Sequence, residues 1–416
     1  MRILVVSQYF WPENFRVNDM AAELVRRGHQ VTVLTGLPNY PDGVVFPQFR
    51  ADPSVHARFE GVEIVRVPMT ARGAGSARLV LNYLSFAASA STIGWWKLRG
   101  QAFDVIFAFE PSPITVGIPA AVMRFAKKAP LAFWVLDLWP GTLKAIGVVH
   151  SPFLLKIVGW LVSFIYRRCD LILAQSRSFV SDIRSYAGQN AWIEYFPSWA
   201  DSIAASSDVV PAPEISRSPG QFNVMFAGNI GDAQDFPAIL QAAQRLKDAR
   251  HIQWLIVGDG RMAQWVTNEI KRVGLQDTVK MLGRHPLERM PSFFEHADAL
   301  LVSLKDEPIF AMTIPGKLQS YLAAGIPVLA MLDGEGADLV RSANAGLTCA
   351  AGDANGLAAA VLQLSTASAD ERLEMGNNAF ALAAREFDRG TLMNRFEAWL
   401  KKLSSLRKPV RQPENT

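Results

Sequence analysis

Residues 223–232 read Asn223-Val224-Met225-Phe226-Ala227-Gly228-Asn229-Ile230-Gly231-Asp232. An apolar run that can be buried on both faces passes into a glycine-rich turn, the pattern of a parallel strand handing over to a helix. The device returns one unit later in Ile256-Val257-Gly258-Asp259-Gly260, and again in Leu282-Gly283-Arg284. Strand-like runs at 253–257, 279–282, 299–302, 328–330 and 347–349 continue the alternation with amphipathic stretches. Upstream the same alternation occupies 3–7, 31–35, 62–67, 105–108, 131–136, 171–174 and 193–196. The pattern therefore starts twice, which predicts α/β architecture with two doubly wound, Rossmann-like domains facing a central cleft. The expected boundaries are 1–200 and 222–390, with a Ser-, Ala- and Pro-rich linker at 201–221. A last helix at 391–408 carries Met393, Phe396, Trp399, Leu400 and Leu403 on one stripe and is expected to pack back toward the amino-terminal domain. The tail from Lys408 onward reads as frayed.

Composition narrows the function. With 416 residues, 50% hydrophobic and 19% charged, the chain has ample core and no disorder signature. The net charge is only +4 and no basic block occurs, so a nucleic-acid binder is not expected. Charge is uneven: residues 1–200 hold 20 Lys and Arg against 13 Asp and Glu, whereas 201–416 hold 22 against 25. A basic amino-terminal half suits an anionic lipid surface or a phosphorylated acceptor. The two cysteines, Cys169 and Cys349, make neither a disulfide framework nor a metal cluster, which fits a reducing cytosol. The chain opens straight into a strand, and no cleavable leader is expected. Residues 79–96 are uncharged but carry Asn82, several serines and Thr92, so they read as a buried or interfacial helix, not a span. No internal repeat occurs.

Several residues have addresses suited to chemistry. The first strand runs into a long aromatic loop, Ser7-Gln8-Tyr9-Phe10-Trp11-Pro12-Glu13-Asn14-Phe15-Arg16, better suited to touching a ligand than to a plain turn. Arg16 at its end suits a phosphate or carboxylate, and equally a surface ion pair. His29, just past a helix end, suits a packing role. Asp137 closes the apolar strand 131–136 and is placed to act as a base, to bind substrate hydroxyls, or to cap a turn. Glu110 has the same address after 105–108. Three glycine-rich turns on successive strands let backbone N–H groups approach a phosphate, and Arg284 and Lys317 are the cations to aim at a diphosphate.

The stretch Pro315-Gly316-Lys317-Leu318-Gln319-Ser320-Tyr321-Leu322-Ala323-Ala324-Gly325-Ile326-Pro327-Val328 resembles the signature of glycosyltransferase family 4, enzymes of the two-Rossmann glycosyltransferase-B fold. The opening loop through Pro41, "DLWP", "FPSWAD", "FAGNIGDAQDF" and "SLKDEPIFAMTIPGK" are similar to one branch of it. That branch holds the sugar transferases of bacterial surface polysaccharides that include the N-acetyl-L-fucosamine transferases. The resemblance implies that Gly228, Asn229 and Gly231 lie near the donor phosphates, Asp259 and Arg284 on the nucleotide side, and Lys317 on the diphosphate. The family's paired glutamates would fall at Met312 and Ser320 and are missing. Ribose binding is then expected at Ser320, and the sugar-facing role at Glu307 or the Thr313 backbone. Asp137 stands where many members have a histidine.

Family membership implies retaining transfer from a nucleoside diphosphate sugar, with UDP as the expected nucleotide, and with no cofactor and no metal. Asp137, Arg284 and Lys317 would serve the reaction, and Arg16 and Glu110 would bind the acceptor. The implied acceptor is a glycan on undecaprenyl diphosphate at the inner face of the cytoplasmic membrane. Residues 79–96 and the run Phe153-Leu154-Leu155-Lys156-Ile157-Val158-Gly159-Trp160 through Arg168 would give peripheral attachment. Two other readings remain: a nucleotide-sugar 2-epimerase of the same fold, and a non-catalytic scaffold that binds nucleotide sugar.

Overall fold

A computed structural model describes residues 1–73, 75–145, 149, 151–200 and 209–405. The chain forms two compact units. Unit 1 takes residues 1–175, 179–196 and the chain from Met393; unit 2 takes 176–178 and 197–392.

Unit 1 is built on β1 (Arg2–Val6), β2 (Gln30–Thr35), β3 (Arg58–Phe59), β4 (Val62–Arg66), β5 (Val105–Glu110), β6 (Leu131–Val135), β7 (Leu171–Ala174) and β8 (Ile193–Tyr195). Their order is β3-β4-β2-β1-β5-β6-β7-β8. Every pairing is parallel except β3 with β4, a short hairpin closed by Glu60 and Gly61, both at positive φ. The sequence reading missed β3, because two residues are too few to show a period. Each residue of β5 and β6 is buried, which is why these strands read as unbroken apolar runs. Strand order reverses at β1, between β2 and β5, so a crevice for ligand opens at the carboxyl ends of β1 and β5.

The helices of unit 1 used below are α1 (Arg16–Arg26), α2 (Ser76–Ser89), α3 (Gly117–Lys127), α4 (Pro152–Tyr166) and the closing helix Arg389–Ser405. From Met393 the closing helix belongs with unit 1: Met393, Phe396, Leu400 and Leu403 are fully buried, and the Phe396 ring lies 4.8 Å from Phe107 and 5.4 Å from Phe196. Trp399 of the expected stripe is only half-buried. His29 ties α1's end to this helix through Glu397, 3.0 Å away, a structural role. The tail beyond residue 405 lies outside the described residues.

Unit 2 carries β9 (Phe222–Ala227), β10 (Ile252–Val257), β11 (Val279–Gly283), β12 (Ala299–Ser303), β13 (Val328–Met331) and β14 (Gly346–Cys349), all parallel, in the order β11-β10-β9-β12-β13-β14. Its switch point lies between β9 and β12. Of the expected linker, 201–208 lie outside the described residues. The rest is fastened to unit 2: the Ala212 N–H donates to the Ser292 carbonyl at 2.9 Å, and Glu214 and Arg217 pair with Arg289 and Asp298.

Candidate active site

In unit 2 the turns after β9, β10 and β11 are sewn together by their backbones. The Gly228 N–H donates to the Val257 carbonyl (2.8 Å), Gly258 to Gly283 (2.7 Å), and Ile230 to Asp259 (2.8 Å). Such contact requires glycine. Gly258 has φ +144°, and a Cβ there would stand 1.9 Å from the Gly228 carbonyl oxygen. Gly228 has φ +135°, and its Cβ would stand 2.5 Å from Cε of Lys317. The missing side chain at Gly228 is the space the lysine occupies.

Lys317 is the second residue of α5 (Gly316–Ala323). Its Nζ lies 3.6 Å from the centroid of the Phe226 ring and 3.5 Å from the Asn229 carbonyl oxygen. Among the described residues no carboxylate pairs with it, and burial pulls its ammonium down to about 7. A desolvated ammonium with no counter-ion, at the end of three glycine-rich turns and beside a helix start without a side-chain cap, is arranged for an anion. Tyr321 holds α5 to the sheet. β12 pairs with β9 only at Val224 and Met225, leaving the end of β9 open on that side. The buried Tyr321 hydroxyl fills the gap, accepting from the Ala227 N–H at 2.8 Å and donating to the Ala227 carbonyl at 2.9 Å. Tyr321→Phe leaves two buried backbone groups unpaired and should cost about 1–3 kcal/mol, read as a lower urea midpoint at unchanged m-value.

The remaining expected donor residues are spread over the same end of unit 2. Asn229 and Asp259 are exposed, Gly231 is buried, and Arg284 is exposed without an ion pair among the described residues. The Asp259 carboxylate accepts from the Gly260 N–H at 2.7 Å. Glu307 is half-buried and leads the short helix Pro308–Ala311. The Thr313 N–H donates to Phe310 and its hydroxyl to Ile309, both within its own turn, which leaves its carbonyl as the backbone group that could face a sugar. Ser320 is buried at 8% exposure.

In unit 1, the loops at the carboxyl ends of β1, β2, β5 and β6 each carry a cis peptide bond, at Trp11-Pro12, Tyr40-Pro41, Ser112-Pro113 and Trp139-Pro140. Asp137 lies just beyond β6, half-buried, and burial pushes its carboxyl up to about 7. Its N–H donates to Oε2 of Glu110, 3.4 Å away. Glu110 closes β5 with no exposure, and burial followed by the neighbouring Asp137 holds its carboxyl well above the usual range. Glu110, so buried, would meet an acceptor only through Asp137. Arg16 is half-buried at the first position of α1.

The residues that sequence reasoning missed surround Asp137 and shape the first loop. The Tyr83 hydroxyl bonds to Ser112 and feels the charges of Arg72 and Asp137. Glu13 is the loop's organiser: Oε1 accepts from the N–H groups of Asn39 (2.8 Å) and Tyr40 (2.7 Å), and Oε2 from Phe10 (3.2 Å). Burial outweighs these donors and raises its carboxyl to about 7. Arg66 donates to the carbonyls of Gly36 and Trp11. Tyr9 stacks on Phe15 at 5.2 Å, Tyr40 lies 5.5 Å from Tyr9, and the Arg72 guanidinium sits 5.3 Å from the Tyr40 ring centroid. The loop's aromatic density was the one sequence signal for this cluster; its polar members come from distant segments.

Two helical stretches of unit 1 carry exposed apolar side chains. On α2 and the segments after it, Val80, Leu81, Leu84, Ile93, Trp95 and Trp96 are exposed, as are Phe153, Leu154, Ile157, Trp160 and Phe164 on α4. Guanidinium groups of Arg99 and Arg168 lie 4.1 Å and 3.5 Å from the ring centroids of Trp96 and Phe164. Both segments were open to reading as ordinary core helices; half of each is exposed. Among the described residues, no helix is long and apolar enough to cross a membrane. Nor do three or more His, Cys, Asp or Glu residues there come close enough together to hold a metal ion.

Residues 14–199 match the model of the glycosyl transferase 4-like domain, and 221–367 that of glycosyl transferases group 1. Over 349 residues the chain is 25% identical to the putative colanic acid biosynthesis glycosyl transferase WcaI of Escherichia coli K12, covering 78% of this chain and 82% of that one. A 119-residue stretch is 31% identical to the amylovoran biosynthesis glycosyltransferase AmsK of Erwinia amylovora, covering 28% of this chain and 29% of that one. The crystal structure of Anabaena Alr3699/HepE in complex with UDP superposes with TM-score 0.67 at 16% identity, over 97% of this chain and 100% of that one, a likeness that speaks for the fold. The chain is thus a glycosyltransferase of the glycosyltransferase-B fold, belonging to the family that joins a 4-like amino-terminal domain to a group 1 carboxyl-terminal domain.

Proposed function

We propose that this glycosyltransferase moves a sugar from a UDP-linked donor to a glycan carried on a polyprenyl diphosphate, during assembly of a bacterial surface polysaccharide. An N-acetylated deoxyhexosamine such as N-acetyl-L-fucosamine is the sugar the motif resemblance favours. The observation that carries the reading is Lys317, a half-buried cation without a carboxylate partner among the described residues, set against the Gly228 turn. UDP is favoured because HepE, of the same fold, binds it. Polysaccharide assembly is favoured by the likeness to WcaI and AmsK.

In the proposed reaction the bond from the anomeric carbon to the diphosphate oxygen breaks. Lys317, Arg284 and the N–H groups of the glycine-rich turns take up the charge growing on the diphosphate. The acceptor hydroxyl attacks the face the diphosphate leaves and passes its proton to that departing group, so configuration is retained. Asp137 orients the hydroxyl and supports positive charge at the anomeric carbon, with Glu110 positioning Asp137 through its N–H. Cations and N–H groups supply the charge stabilisation, and a metal has no assigned part.

The exposed apolar stretches, edged by Arg99, Lys156, Arg167 and Arg168, would lie on the cytoplasmic membrane. The full chain should co-float with vesicles containing phosphatidylglycerol and be released by high salt. Trp96→Ser combined with Trp160→Ser should abolish flotation at low salt. A wild-type protein that stays at the bottom of the gradient contradicts the membrane reading.

A further inference from the structure

A groove of about 970 Å³ runs along unit 1 between α2, the π-helical segment Ala90–Gly94 that follows it, and α3. Met69, Leu84, Ala88, Thr92, Ile93 and Val122 are among the residues that line it. Four of the five hydroxyls in its walls are spent on the backbone, that of Thr70 being the fifth. Ser85 accepts from the Thr70 N–H and donates to Asn82; Ser91 donates to Ala87 and Thr92 to Ala88. The Ser89 hydroxyl is likewise given to the Pro68 carbonyl. Most of what remains toward the space is carbon, the Thr70 hydroxyl apart, so the groove has little with which to recognise a polar guest.

Its two ends differ. One rim continues into the exposed apolar side chains of α2 and the Trp96–Arg99 pair. At the other, the lining residue Thr70 is tied to the first loop through Asn82, which donates to the Thr70 carbonyl at 2.6 Å and accepts from Gln8 at 2.8 Å, and Tyr83 precedes Leu84 on the same helix. Two residues beyond Thr70 stands Arg72, its guanidinium over Tyr40 and without a carboxylate partner among the described residues. Such a groove suits a guest with a slender apolar chain and an anionic head. The volume lies at the upper end of ordinary ligand pockets, roughly 300–1,000 Å³, enough for the first isoprene units of a longer chain.

We infer that this groove binds the head-proximal isoprenoid of the acceptor lipid, with Arg72 at its diphosphate and the glycan delivered toward Tyr83 and Asp137. The inference rests on the lipid-linked acceptor proposed above and names where that lipid is held. A two-chain phospholipid would also present an anionic head, and the test separates the two.

The full chain is irradiated with farnesyl diphosphate bearing a terminal diazirine, and in a parallel arm with vesicles of diazirine-labelled phosphatidylglycerol. Labelled peptides are then identified by mass spectrometry. The isoprenoid probe should label residues 84–93 or 118–122, in competition with unlabelled polyprenyl diphosphate. Ala88→Trp fills the groove from an exposed position and should cut this labelling about tenfold; Arg72→Gln should weaken probe binding as well. Ala88→Glu is the second variant should tryptophan disturb the fold. UDP binding by each variant stays unchanged. Labelling elsewhere, labelling indifferent to the Ala88 variants, or equal labelling of the groove by phosphatidylglycerol overturns the inference. If wild type transfers sugar to the lipid-linked glycan while Ala88→Trp leaves the acceptor KM unchanged, the groove assignment fails and the proposed function stands. If the groove is labelled but no lipid-linked glycan is ever glycosylated, the acceptor reading fails instead.

Discussion

Lys317→Ala should lower kcat/KM for the sugar donor by about 100- to 1,000-fold, the loss seen when one preorganised donor to a developing oxyanion is removed. Two features set the size of this effect. The ammonium lies against the Phe226 ring and the Asn229 carbonyl with no carboxylate partner among the described residues, so a diphosphate would meet it without displacing a protein anion. Gly228 keeps its place open, since any Cβ there would strike Cε. The loss should not come from unfolding. Burial lowers this lysine from 10.5 to about 7, so between those values the unfolded chain binds more protons than the folded one. By linkage, this group's contribution to stability rises with pH through that window, and below pH 7 the buried charge is a burden. The alanine variant should therefore melt no lower than wild type at pH 6. A normal rate with a lowered melting temperature would mean that Lys317 is structural.

Asp137→Asn should reduce kcat by about 100- to 10,000-fold, the usual range for a positioned carboxylate acting on a proton or on nearby charge. It should also change the pH profile in a way that a packing defect would not. Burial raises Asp137 to about 7, and the ionised form is the one required, so the rate should climb as pH rises through 7. Lys317 works in the opposite sense: its protonated form is required, and in the free enzyme it is lost above about 7. The two together predict a narrow bell for kcat/KM centred near neutrality. Asp137→Asn removes the rising limb and leaves the falling one. Glu110→Gln keeps the buried shape and should leave the rising limb where it is, because burial alone raises Asp137 and the Asp137 charge acts on Glu110, not the reverse. A variant that scales the whole bell without altering its limbs would assign Asp137 to packing.

The parallel strands were legible in the sequence because burial on both faces makes them unbroken apolar runs, as in Leu131–Val135 and Phe222–Ala227. The glycine-rich turns were legible for a related reason, since Gly228 and Gly258 answer a steric demand that no other residue meets. What escaped depended on contacts between distant segments. Glu13 looks like any loop glutamate until the backbones of Asn39 and Tyr40 are found donating to it. Tyr321 sits at a helical core position, and nothing in the local sequence shows that its hydroxyl closes the open end of β9. Nor does the local sequence show that the Thr313 N–H and hydroxyl are both taken up by the turn that precedes α5. For the stretches 79–96 and 153–168 the sequence supplied hydrophobicity but not its direction. Trp96 and Trp160 proved to be exposed, a matter decided by which faces the neighbouring helices cover.

The most direct test of the account incubates the purified chain with UDP-, GDP- and dTDP-linked sugars and a glycan on a short polyprenyl diphosphate. The product mass is followed, and its anomeric configuration is read by NMR. One sugar should be added from a UDP-linked donor, with the donor's configuration retained and with UDP raising the melting temperature. No addition from any donor, together with no shift of the melting temperature by any nucleotide, would contradict it.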